Sequence, residues 1–161
     1  MKFETGHEVV IDRPLDEVFR TLALADDLER LLRLSSLVTS FTHHSTIPGP
    51  TPSTQVISFE FGERVPLLPF GLYSADVTMR VEQTVDSETH RVDYWSQTQG
   101  GAKLSVHKVR SFSPAGEGTR VSEVVQGVAP AGLHLVAKRA ARKAHVEHME
   151  SYHRLFSQDR A

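Results

Sequence analysis

The chain has 161 residues, 39% apolar and 24% charged, which fits one globular domain, 1–161, burying roughly two thirds of its unfolded surface. Eighteen Lys and Arg against twenty Asp and Glu leave a formal charge of −2, which argues against a global basic field for nucleic acid and against a charged tail. Cysteine is absent, which excludes disulfides, thiolate catalysis, Cys-containing zinc sites and Cys-ligated iron–sulfur clusters.

The opening MKFETGHEVV lacks a charged segment followed by an apolar stretch, and no run approaches the roughly 18 apolar residues of a membrane span. The expectation is a soluble, cytoplasmic protein. Phe3, Thr5, His7, Val9 and Ile11 share one face of a first strand, with Glu4, Glu8 and Asp12 on the other. Pro14 followed by Asp16 and Glu17 supplies a first-turn proline and two acids for the positive end of a helix. The apolar spacing Val18, Leu22, then Leu28, Leu31, Leu32 predicts two short amphipathic helices interrupted near 25–27.

Residues 37–41 are β-branched and aromatic and read as a second strand, ending before a breaker-rich loop at 47–53. His43-His44, just before that loop, reads as a solvated turn. Residues 55–61 and 75–82 alternate as half-buried antiparallel strands. Between them, 62–71 is apolar but carries two prolines and two glycines, and is predicted as a long loop with buried side chains. Strands follow at 91–97, 103–112 and 119–128, joined by Gly- and Pro-containing turns.

Pro130 then opens a long helix predicted to run to about Ser157. Leu133, Ala137, Ala140, Ala141, Ala144, His148, Tyr152 and Leu155 gather within about one third of its circumference. The alanines suit either tight packing on a sheet or open volume beneath the helix. The order β-αα-β-β-β-β-β-β-α places the chain in the α+β class.

This order resembles the START-like, Bet v 1-like (SRPBCC) superfamily, including its polyketide cyclase/dehydrase-like branch. Residues 11–19, Ile-Asp-Arg-Pro-Leu-Asp-Glu-Val-Phe, are similar to the family's strand-one ending and helix start. Residues 118–125, beginning Gly-Thr-Arg-Val, are similar to its penultimate element, and the Pro130 helix start also fits. The resemblance implies a helix-grip: a curved antiparallel sheet of about six to seven strands wrapped around a long C-terminal helix, enclosing a pocket that in relatives holds lipids, aromatics, sterols, quinones or polyketides. Members include enzymes, carriers and sensors, so the fold leaves function open.

Candidate catalytic groups are His107, Glu123 and His148. Inward histidines could supply acid–base chemistry because an unperturbed imidazole titrates at about 6.5, and the resemblance places His107 where cyclase-like relatives often carry a histidine. Glu123 shares strand parity with Val121 and Val125, so an inward carboxylate with a raised pKa is expected. His7 has the same inward parity. Expected ligand contacts are His7, Phe59, Phe61, Met79, Tyr94, His107, Glu123, Ala144, His148 and Tyr152, with Tyr94 rather than Trp95 facing inward. The alternative for His107 and His148 is a hydrogen-bonded role without catalysis, for Glu123 and His7 an edge or rim position, and for Phe59, Phe61, Met79, Tyr94 and Tyr152 plain core.

His145 and His148 are three apart on the helix without a third ligand, so no metal is expected. Lys138, Arg139, Arg142 and Lys143 read as a solvated face or an anionic-partner patch. No phosphate loop, nucleophile elbow or dinucleotide fingerprint occurs, and no cofactor is expected. The leading expectation is a binder of a small hydrophobic, aromatic or lipid-like molecule, without nucleic acid or integral membrane association, as monomer or dimer. The alternatives are a polyketide cyclase/dehydratase-like enzyme and a ligand-free interaction module.

Overall fold

The computed structural model describes residues 2–66, 74–100, 104–128 and 134–157. The elements run β1 (Lys2–Ile11), α1 (Leu15–Ala23), a 3₁₀ turn (Ala25–Asp27), α2 (Leu28–Leu32), β2 (Val38–Pro48), β3 (Thr54–Pro66), β4 (Ser74–Asp86), β5 (Arg91–Thr98), β6 (Ser105–Ala115), β7 (Gly118–Val128) and α3 (His134–Glu150). A 3₁₀ turn at Tyr152–Leu155 follows α3. The strands form one seven-stranded, curved antiparallel sheet in the order β1-β7-β6-β5-β4-β3-β2. Sequential hairpins build most of it, and β1 returns to pair with β7 in the register Thr5↔Val125, His7↔Glu123 and Val9↔Val121.

Pro14 takes the N-cap position of α1, and Asp16 and Glu17 in the first turn complement its positive end. Val18, Phe19 and Leu22 form its buried stripe. They meet Leu28 and Leu31 of α2, Ile57 and Phe59 of β3, Val81 and Val85 of β4, and Met149, Tyr152 and Leu155 from the C-terminal end of the chain. Each large apolar side chain removed from water contributes about 1.5–3 kcal/mol. α1 and α2 thereby cover one end of the concave face, and α3 packs along β1.

Three expectations change. The predicted 62–71 loop instead continues β3 through Pro66, whose partner is Ser74. Proline at a strand terminus forfeits little, because no further ladder bond is required of it; residues 67–71 lie outside the described residues. Gly62 suits this strand because its N–H donates to Ser40 Oγ at 3.1 Å, and an added Cβ would meet that oxygen at 2.6 Å. β2 runs on to Pro48, placing His43 and His44 in an exposed strand, with register shifts between Val38 and Ser40 and between His43 and Ser45.

The long helix ends at Glu150 rather than near Ser157. Ser151 Oγ donates to Glu147 O at 2.8 Å, while its N–H turns to His148 O at 3.1 Å, so the last turn tightens into 3₁₀ geometry. The Pro130 helix start lies outside the described residues.

Candidate functional site

Strand registry assembles a row of inward side chains across four strands. Val92, Arg110, Glu123 and His7 stand side by side on β5, β6, β7 and β1. One step along, Gln83, Tyr94, Lys108 and Val125 form the next row. α3 brings His145 to the first row, and the 3₁₀ turn after it brings Tyr152.

Glu123 is the centre of the cluster and is fully buried. Its Oε1 accepts from Arg110 Nε and from Tyr152 Oη, the latter at 2.5 Å. Arg110 Nη2 also donates to Tyr152 Oη at 2.8 Å, and Nη1 donates to Leu22 O at 2.5 Å. That carbonyl lies in the last turn of α1, where carbonyls lack helical partners and favour a cation. Gln83 Nε2 serves the neighbouring Ala23 O in the same way at 2.8 Å. On the other side, Glu123 Oε2 faces Lys108 Nζ at 3.6 Å and His145 Nδ1 at 3.4 Å. Lys108 also lies 4.5 Å from the centroid of the Tyr94 ring.

The electrostatics follow from burial among these partners. Burial works to raise the Glu123 pKa, but Arg110, Lys108, His145 and the Tyr152 hydroxyl together hold it well below the usual carboxylate range. Glu123 is therefore an anion at neutral pH, which corrects the expected raised pKa. Burial pushes the Lys108 ammonium and the His145 imidazole below their ordinary values, partly opposed in each case by Glu123. The Tyr152 phenol is raised well above its ordinary value by burial, so it stays a proton donor.

Beside this polar centre lies an aromatic wall. Phe59 is fully buried, with ring centroids of Phe41, Phe61 and Tyr94 at 5.8, 6.3 and 6.2 Å. Met79 is buried opposite Phe61 on β4. Tyr94 is buried whereas Trp95 is 57% exposed.

His107, Ala144 and His148 lie elsewhere. His107 is on the outer face of β6, stacked on Trp95 with ring centroids 3.8 Å apart and bonded to Asp93 Oδ1 at 3.2 Å. Its strand parity is opposite to that of Arg110 and Phe112, so the sheet separates it from Glu123. Ala144 is exposed, on the solvent side of α3. His148 is half-buried and its Nε2–H donates to Leu31 O at 2.8 Å, tying α3 to α2. Its ring edge meets Tyr152 at 5.2 Å, and burial pushes its pKa down to about 4.

His7 is opposite Glu123 in register but turns its Nε2 to Glu150 Oε1 at 2.8 Å. Arg110, Lys108 and His145 were not among the sequence-derived candidates. The available signal was parity: Lys108 and Arg110 fall in step with Phe112 on β6. Among the described residues, no group of three or more metal-ligating side chains is assembled, and no helix is long and apolar enough to cross a membrane.

No family model and no curated protein sequence matches the chain. Solved structures do. The Zhui aromatase/cyclase from Streptomyces sp. R1128 superposes with a TM-score of 0.71 at 13% identity, covering 100% of this chain and 98% of its own. TTHA0849 from Thermus thermophilus gives 0.69 at 17% identity, covering 99% and 100%. The Bet v 1 allergen Ara h 8.0201 gives 0.59 at 14% identity, covering 94% and 98%.

Proposed function

From a chain with the Bet v 1-like, polyketide cyclase-like helix-grip fold, we propose that the protein binds a small hydrophobic or aromatic molecule between the concave face of its sheet and α3. The observation that carries this reading is the ionic cluster of Glu123, Arg110 and Lys108 among buried side chains that are mostly apolar. Buried ion pairs stabilise a fold no better than well-packed apolar residues of similar volume, so a charged centre beside an aromatic wall fits recognition better than folding. Phe59, Phe61, Met79 and Tyr94 supply the apolar contact, and the Glu123 centre with Tyr152 orients the polar end.

The test is thermal unfolding against a panel of fatty acids, sterols, quinones and multi-ring aromatics. A ligand at a hundred times its Kd adds about 2.7 kcal/mol to the folded state, enough to raise Tm by several degrees. An unchanged Tm across the panel at saturating concentrations overturns the reading.

A second reading is a cyclase-like enzyme, favoured by the likeness to an aromatase/cyclase and by the imidazole of His145 lying beside an anionic carboxylate. Glu123 orients His145, and His145 moves the proton. Turnover of a linear polyketone by the protein, lost in His145→Gln while ligand affinity is kept, distinguishes this reading from simple binding. Equal turnover in the variant rejects it.

A further inference from the structure

We infer that the polar end of the bound molecule is a hydroxyl group, phenolic or alcoholic, which donates its proton to one of two unfilled acceptors, Glu123 Oε2 or His145 Nε2. The inference rests on the binding reading above and specifies its ligand class. Both atoms are fully enclosed and have no hydrogen-bond partner among the described residues. They belong to side chains 0% and 8% exposed, one on β7 and one on α3. Buried polar atoms are nearly always satisfied, so two orphans on neighbouring side chains mark where a partner belongs.

The chemistry of the orphans selects that partner. Glu123 Oε1 is occupied by Arg110 and Tyr152, whereas Oε2 has cations near it only at 3.4 and 3.6 Å, beyond a strong hydrogen bond. A neutral imidazole carries one proton, and the side facing the carboxylate is Nδ1. The proton therefore resides on Nδ1, leaving Nε2 with a bare lone pair. The lowered pKa of His145 agrees with a neutral ring.

Both unfilled positions are thus acceptors, and because Lys108 Nζ stands 3.6 Å from Glu123 Oε2 without bonding it, what they call for is a donor brought by the ligand. An ether or ketone brings only another acceptor. A carboxylate brings acceptors and a charge that repels Glu123. An ammonium donates, but meets Lys108 and Arg110. A hydroxyl donates to an orphan and can still accept from the Lys108 ammonium, which stands 3.6 Å from Glu123 Oε2.

The test is a matched series with one ring system: 2-naphthol, 2-methoxynaphthalene and 2-naphthoate, measured by calorimetric titration at pH 7.5, with the uncharged probe diphenylhexatriene in parallel. The expected result is naphthol about tenfold tighter than either analogue, the scale of one net hydrogen bond. In His145→Phe the gap between naphthol and its ether should shrink severalfold while the ether's Kd stays within about twofold. The wild-type series decides the question even if that variant does not fold. If the ether matches naphthol, naphthoate is tightest, or diphenylhexatriene binds and naphthol does not, the inference is overturned while the binding reading stands. If neither the series nor diphenylhexatriene binds, the binding reading fails and the inference with it.

Discussion

Arg110 and Glu123 are each surrounded so completely that neither tolerates loss of the other. Arg110 reaches three separate oxygens, on Glu123, Tyr152 and Leu22, and removing Glu123 leaves its guanidinium buried without a counter-charge. Glu123→Leu and Arg110→Met are each expected to cost about 3–5 kcal/mol, because each removes one side of a buried, hydrogen-bonded ion pair and leaves the other without its bonded partner. The double variant should cost clearly less than the sum, since it removes both charges together. Urea unfolding of the four proteins measures this, and strictly additive costs would show that the two side chains do not act as a unit. Glu123 was legible in the sequence because its parity with Val121 and Val125 aims it inward. Its neighbours were not, because Lys and Arg on a strand are ordinarily solvent-facing, and only the register with Phe112 argues otherwise.

Among the elements, those with clean alternation were readable: β1, β4 and β7 place Phe3 to Ile11, Met79 to Val85 and Thr119 to Val125 inside, as a period of two requires. What the pattern missed was set by partners distant in sequence. Gly62 to Pro66 has breaker composition, but β2 and β4 on either side supply enough pairing to hold it extended. The α3 terminus depends on one side chain, Ser151, folding back on the backbone. His107 illustrates the sensitivity of register, since a shift of one residue exchanges the two faces of a strand. The pairing of β1 with β7 depends on Gly127 in a similar way. A Cβ there would lie 2.2 Å from the tip of the Phe3 ring, which is itself buried. Gly127→Val is therefore expected to destabilise the protein by about 1–3 kcal/mol through overpacking. Adding Phe3→Leu should recover part of that loss in thermal unfolding, and no recovery would place the strain elsewhere.

For the molecule as a whole, the buried histidines shape stability against pH. His148, pushed down to about 4 by burial, and His145, lowered by burial, are neutral in the folded chain where the unfolded chain, titrating near 6.5, takes up protons. The unfolded state thus binds more protons between about pH 6.5 and 4, and stability must fall as pH falls through that window. Glu123, held low, adds a second loss only at more acidic pH, when its carboxylate is forced to protonate. Urea midpoints should drop between pH 7 and 5. His148→Gln, which keeps a donor for Leu31 O, should flatten that drop while leaving the more acid loss in place; an unchanged slope would remove His148 as a contributor.

The two register shifts in β2 have a consequence for how the protein behaves among copies of itself. β2 is the last strand of an open sheet, and its outer rim offers backbone groups to any passing extended chain. Register shifts at Val38/Ser40 and His43/Ser45 break the even spacing that such a chain would need, and Pro48 at its end has no N–H to offer. The same irregularity in pairing makes the outer margin of β2 a poor template for aggregation.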